Sequence, residues 1–302
     1  MLKISFSTLA CPDWTWHDVV NFGSRYGYDG VEIRLLQRDT DLLNIADLRP
    51  HLWSQRQQDL KDSGFRVAGL ASSVRFDANL ESERAAQIEI GRRYIEMCVA
   101  LGGEFIRVFG DVLPPEGDPA RPGMIRQVAD GLATLAETAD AAGIQILLET
   151  HGDFSASPPC VEVMQLASHR SVGLVWDTHH PWRFHGEPLA DTWNRLRPWT
   201  RHTHWKDSVT IRERVTTAEA TAAAQAASQL MAGHQHADYV LFRGGEFPAF
   251  ECLKLLLKDG YSRWHSLEWE KMWHPELMGP DIALPIFPIK MRELEAEVRR
   301  AL

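Results

Sequence analysis

The chain has 302 residues, 44% of them hydrophobic, enough to build a sizeable core and within the range that a single barrel domain covers. Its formal net charge of -9 argues against nucleic acid as a partner, because phosphate backbones select basic surfaces. No apolar run reaches the roughly 18 residues of a membrane span, and the N-terminus lacks a signal-peptide core, so a cytoplasmic protein with no membrane partner is expected.

Short apolar runs alternate with longer amphipathic ones from end to end. In chain order the pattern predicts a strand over 4–9, a helix over 16–26, a strand over 30–34, a helix over 48–63 and a strand over 67–72. A helix over 82–101, a strand over 105–109, a helix over 123–142 and a strand over 146–150 follow. Next come a helix over 159–168, a strand over 173–177, a helix over 189–196 and a strand over 202–204. The stretch 208–247 is long for one connection. Its Ala-rich part, 216–232, reads as a helix and 234–248 as a loop over the barrel mouth. A helix over 247–258 and a last strand over 264–268 complete the alternation, and Gly143 and Gly260 mark helix ends. Residues 280–288, with prolines at both ends, read as a break before a charged C-terminal helix over 290–302.

Eight strand–helix units in this length fit a (β/α)8 TIM barrel occupying residues 1–302 as one domain. An open doubly wound sheet is the alternative, weakened by the absence of GxGxxG after the first strand. The cysteines Cys11, Cys98, Cys160 and Cys252 form no CxxC pair, so buried reduced thiols are expected rather than a zinc ribbon.

Ionisable residues collect where the later strands end: Glu149-Thr-His151, Asp177-Thr-His179-His180, His202-Thr-His204-Trp-Lys206-Asp207 and Glu268-Trp-Glu270. In a barrel these ends meet at the rim that hosts the active site. Alone, Glu149 could be a salt-bridged structural residue, and one histidine of an HxH pair could be a hydrogen-bonded core residue. Three carboxylates converging on one rim would repel one another and pay a desolvation cost, which a divalent cation relieves. Glu149, Asp177, His204 and Glu268 form an oxygen-rich set that favours Mn2+, with Mg2+ or Co2+ next and Zn2+ open. Trp182, Trp205 and Phe109 are candidates to line the pocket.

The series Phe6-Ser-Thr-Leu, Tyr28-Asp-Gly-Val-Glu32-Ile-Arg34, Leu148-Glu-Thr-His151, Trp176-Asp-Thr-His-His180, His202-Thr-His-Trp-Lys-Asp207, Arg243-Gly-Gly-Glu-Phe247 and Ser266-Leu-Glu-Trp-Glu270 resembles the sugar phosphate isomerase/epimerase superfamily, whose fold is the xylose isomerase-like TIM barrel. The resemblance spans nearly the whole chain. It implies Glu149 and Glu268 as catalytic groups as well as metal ligands, with Asp177 and His204 completing the ligand set. His180, His151, Arg107 and Lys206 match positions that hold substrate, and Trp182 joins them as a candidate pocket wall. Glu270 competes with Glu268, and His179 with His180.

The implied reaction is isomerisation or epimerisation of a sugar, or a sugar derivative, by proton transfer alpha to a carbonyl through an ene-diolate. A dehydratase or lyase acting on a keto-polyol, of the inosose dehydratase kind, shares the first step. A phosphodiesterase of the endonuclease IV kind would need more metal histidines and a basic face. Members of the superfamily form dimers or tetramers, leaving a homodimer or homotetramer open here.

Overall fold

Residues 1–210 and 237–302 are described by the structure, a computed structural model. Eight parallel strands close into a barrel. They are β1 (Lys3–Ser7), β2 (Gly30–Ile33), β3 (Arg66–Arg75), β4 (Phe105–Phe109), β5 (Gln145–Glu149), β6 (Val172–Asp177), β7 (Thr200–Trp205) and, last in the chain, β10 (Trp264–Leu267), which pairs with β7 on one side and β1 on the other. Two further strands, β8 (Asp207–Thr210) and β9 (Ala237–Val240), form a separate antiparallel pair.

Helices cover the outside: α1 (Trp16–Arg25), α2 (Trp53–Ser63), α3 (Glu81–Ala100), α4 (Arg121–Ala142), α5 (Ser157–Ala167), α6 (His180–His185), α7 (Leu189–Leu196), α8 (Ala249–Lys258) and α9 (Pro280–Ala301). Thr15 caps α1 in a reciprocal box with Asp18, at 3.2 Å from hydroxyl to amide. Gly64 and Gly143 end α2 and α4 with φ of 64° and 71°, the left-handed cap that the sequence marks at Gly143.

Strand periodicity sorts the side chains. In β7, His202 and His204 face the barrel interior, because both reach Glu32 on β2, a strand that does not neighbour β7. Thr203 and Trp205 therefore face outward. Trp205 packs against Phe242, Phe247 and His265 beneath the helical layer, so it is core and not the pocket wall expected for it. Inside, Ala68, Phe105, Leu147, Val175 and Trp264 form a small apolar plug. Arg66 and Lys3 lie over the Trp264 ring at 4.7 and 5.7 Å.

Three expectations change. The connection after residue 208 is not simply helix and loop, since its described ends pair as β8 and β9; the expected helix over 216–232 lies outside the described residues. Residues 180–185 add a short helix, α6, just after the Asp177 strand end. The C-terminal helix does not start near 290. It starts at Pro280, where a proline suits the first turn, and runs through Pro285 and Pro288. Pro288 cannot donate to the Leu284 carbonyl, but the Tyr28 hydroxyl does so from the barrel side at 2.8 Å. Tertiary contact thus supplies the hydrogen bond whose absence makes the sequence read as a break.

Candidate metal centre

The ends of β5, β6, β7 and β10 bring Glu149, Asp177, His204 and Glu268 together with one ligand atom from each within 4.8 Å of the others, all four buried. Register explains part of this: Asp177 and His204 are direct partners across β6 and β7. Glu268 follows β10 by one residue, and its amide is tied to the Trp205 carbonyl at 3.0 Å. His204 Nδ1 lies 2.9 Å from Glu149 Oε1 and 3.3 Å from Glu268 Oε1.

The other face of His204 is equally constrained. Its Nε2 lies 2.8 Å from Glu32 Oε2, the same oxygen that His202 Nε2 meets at 2.9 Å and Ser266 Oγ at 3.2 Å. Glu32, His202 and His204 also form a group with metal-ligand potential. Their hydrogen-bonding distances and shared oxygen instead make Glu32 the carboxylate that orients the imidazole. No motif in the sequence gives Glu32 a role of its own. The available signal was a charged residue in the middle of the apolar strand Gly-Val-Glu-Ile, which only an interior partner can offset.

Lys206 enters as a clamp. Its Nζ is 2.9 Å from Asp177 Oδ2, 2.6 Å from Glu268 Oε2, 2.7 Å from Glu270 Oε1 and 3.2 Å from His180 Nε2. Lys206 thus holds both glutamates, and Glu268, not Glu270, sits in the four-residue cluster. The histidine ambiguity also separates. His180 turns its ring inward, with Nδ1 on the Thr150 carbonyl at 2.9 Å and Nε2 3.4 Å from Asp177 Oδ2. His179 turns towards Ser208 at 2.7 Å, and joins α6 to β8. Asp177 Oδ1 accepts both backbone amides, of His179 at 2.9 Å and His180 at 3.0 Å.

Arg107 Nε is 3.2 Å from Glu149 Oε2, and the guanidinium lies 3.7 Å over the Phe109 ring. His151 stands at the rim, Nδ1 2.9 Å from Asp111 Oδ1, with its ring centre 5.8 Å from that of His180. Trp182 is one layer further out: its ring contacts are His179 at 5.8 Å, Phe247 at 5.4 Å and the Arg183 cation at 4.4 Å. Asp207 does a different job from its neighbour Lys206. Its carboxylate accepts the amides of Ser208, Gly245 and Phe247 at 2.8, 3.0 and 3.0 Å, tying the 243–247 loop to the end of β7.

The electrostatics follow from this crowding. Burial pushes Asp177 up to about 7, with Glu268 adding to the rise against the pull of Lys206. Burial opposes the charge on His204, but Glu268, Glu32 and Glu149 outweigh it and hold the ring well above its ordinary range. Burial likewise opposes the Lys206 cation, and Asp177, Glu268 and Glu270 overcome it. The pocket thus gathers positive charge around its carboxylates. A divalent cation fits this donor set, since it replaces the imidazolium proton as the partner of the same oxygens.

A family model, the xylose isomerase-like TIM barrel, matches residues 20–284. The chain belongs to this family. Among solved structures of this family's fold, L-ribulose 3-epimerase is 14% identical, with a TM-score of 0.75 over 100% of this chain and 97% of that one. The probable 3-DHS dehydratase AsbF from Bacillus anthracis is 18% identical, with a TM-score of 0.71 over 97% and 99%. The IOLI protein with a binding zinc atom is 18% identical, with a TM-score of 0.71 over 98% of each chain. No curated protein matches. The similar structures thus include both an epimerase and a probable dehydratase on one architecture. Among the described residues, no helix is long and apolar enough to cross a membrane.

Proposed function

We propose that the protein is a divalent-metal-dependent enzyme that moves a proton alpha to the carbonyl of a small sugar or sugar derivative, as an isomerase or epimerase. The observation that carries this reading is the buried convergence of Glu149, Asp177, His204 and Glu268 on one rim. These four would hold the cation; Mn2+ suits a set with three carboxylates and one imidazole, and Mg2+, Co2+ and Zn2+ are alternatives. Bound there, the cation would supply Lewis-acid polarisation of a carbonyl group.

The chain's own residues supply the rest. Glu149 and Glu268 approach the same nitrogen of His204 from different strands, so two carboxylates flank one small volume. One takes the proton and the other returns it, and return from the opposite face inverts the carbon. His180 and Lys206 border the same volume, and a substrate oxygen would take one of the Lys206 N–H groups now shared among Asp177, Glu268, Glu270 and His180. His151, braced by Asp111, stands at the mouth with a similar offer.

The second reading is dehydration of a keto-polyol, with the same proton removal followed by loss of a beta hydroxyl. His151 favours it, because the Asp111 contact fixes one ring nitrogen and leaves the other for a departing hydroxyl. Metal analysis of the purified protein, paired with solvent-deuterium incorporation over ketoses, inososes and keto acids, tests both. One bound cation with deuterium entering recovered substrate supports isomerisation or epimerisation. Loss of water supports the second reading, and a protein that takes up no metal after reconstitution refutes both.

A further inference from the structure

Arg34 follows β2 at the barrel rim and is 7% exposed. Its place is set locally: the Thr8 hydroxyl accepts the amides of Arg34 and Leu35 at 2.9 and 3.0 Å. The guanidinium carries five N–H donors, yet among the described residues it makes one long hydrogen bond, 3.4 Å to the Thr40 carbonyl, and no ion pair. Ile33 pairs with Leu70 and Leu70 with Ile106, so the residues that follow, Arg34 and Arg107, come level at the rim on strands separated only by β3.

Arg107 is similarly underused. It is 1% exposed, and neither its Nε nor its Nη1 makes a hydrogen bond, although Nε is near Glu149. Ser72 holds its backbone by donating to the Arg107 carbonyl at 2.7 Å, and the Phe109 face keeps the guanidinium plane in place. Arg107 keeps Nε and Nη1 buried without a hydrogen bond beside its Glu149 ion pair, and Arg34 has no ion pair among the described residues, so donors and positive charge are left over at this rim. Neutral hydroxyl groups would satisfy some of those donors but none of the charge. A planar oxyanion satisfies both, since the guanidinium fork matches its two oxygens.

We propose that the substrate carries an oxyanionic group, a carboxylate or a phosphate, received by Arg34 together with Arg107 beside the four-residue cluster. The inference rests on the proton-transfer reading for the word substrate, and it adds that neutral sugars are the poorer ligands of this site.

Calorimetric titration of the full-length, Mg2+-loaded protein tests it with matched probes: hydroxypyruvate against dihydroxyacetone, quinate against myo-inositol, and ribulose 5-phosphate against ribulose. At least one charged probe is expected to bind tenfold or more tightly than its neutral counterpart, and the pair that responds tells carboxylate from phosphate. A charged probe could also gain affinity from the metal alone, so the deciding arm is Arg34→Gln. It should erase most of that preference while leaving metal content and melting temperature as in the wild type. If that variant does not fold, Arg34→Lys keeps the charge but loses the fork, and should lose part of the preference. Equal binding of charged and neutral probes, no binding by any charged probe, or a preference undiminished in the variant overturns the subsite. Deuterium exchange read on the same probes separates the two readings. Preference without exchange retains the oxyanion site and removes proton transfer, and exchange on neutral sugars without preference does the reverse.

Discussion

His204 Nε2 meets Glu32 Oε2 at 2.8 Å across the barrel interior, while Nδ1 of the same ring faces Glu149 and Glu268. A carboxylate behind a ligating imidazole fixes its tautomer and raises its basicity. Glu32→Gln should therefore weaken metal binding about 10- to 100-fold without touching a ligand. Competition with a chelator measures this; an unchanged dissociation constant would remove Glu32 from the metal's support.

Glu149→Gln and Glu268→Gln should each suppress solvent-deuterium exchange by about 100-fold or more, the range set by loss of a positioned acid or base. Metal occupancy has to be read alongside, because both residues also belong to the cluster. Exchange persisting in both variants at full occupancy would strip them of the proton-transfer role.

Tyr28→Phe isolates the device that lets α9 pass Pro288. The change leaves the buried Leu284 carbonyl without a partner and should cost about 1–3 kcal/mol of stability. Urea unfolding reports the loss, and metal affinity should not move. An unaltered midpoint would mean that water or a small shift satisfies that carbonyl.

His265 gives a pH prediction with a definite sign. Burial, then His202 and Arg292, press its pKa down to about 3, and neither ring nitrogen has a hydrogen-bond partner. The unfolded chain binds a proton near pH 6.5 that the folded chain refuses until about pH 3. Stability from the neutral ring is thus complete above about pH 6.5 and falls as pH drops through that window. The slope from this ring is at most about 1.4 kcal/mol per pH unit. Burial presses His179 and His180 in the same direction. His265→Leu should accordingly flatten the acid limb between pH 6 and 4 without abolishing it. Equal slopes for wild type and variant would mean that the ring finds a proton or a partner in the fold.

The alternation of strands and helices was legible because burying a strand on both faces demands an apolar run, and a covering helix demands a 3.6-residue stripe. The four residues of the cluster were legible for a related reason. A carboxylate or histidine ending such a run, as at Glu149 or Glu268, has no apolar use, and closed topology carries all those ends to one rim. Choices between neighbours were not. His179 and His180 differ only in which way the chain turns after Asp177, and Asp177 itself decides that by accepting both amides. Glu268 and Glu270 both bind Lys206, and Glu268 alone of the two joins the cluster, 3.3 Å from His204. Trp205 looks like a pocket residue in sequence, yet strand parity sends it outward beside an inward His204.

What the sequence by itself determined is the barrel and the identity of its rim residues, because both follow from local periodicity. Only the tertiary structure decided that Glu32 backs His204, that Tyr28 carries α9 past a proline, and that Arg34 and Arg107 come level at the rim. Each of these joins residues remote along the chain, and a hydrogen bond or an unpaired charge depends on distance in space, which no local pattern encodes.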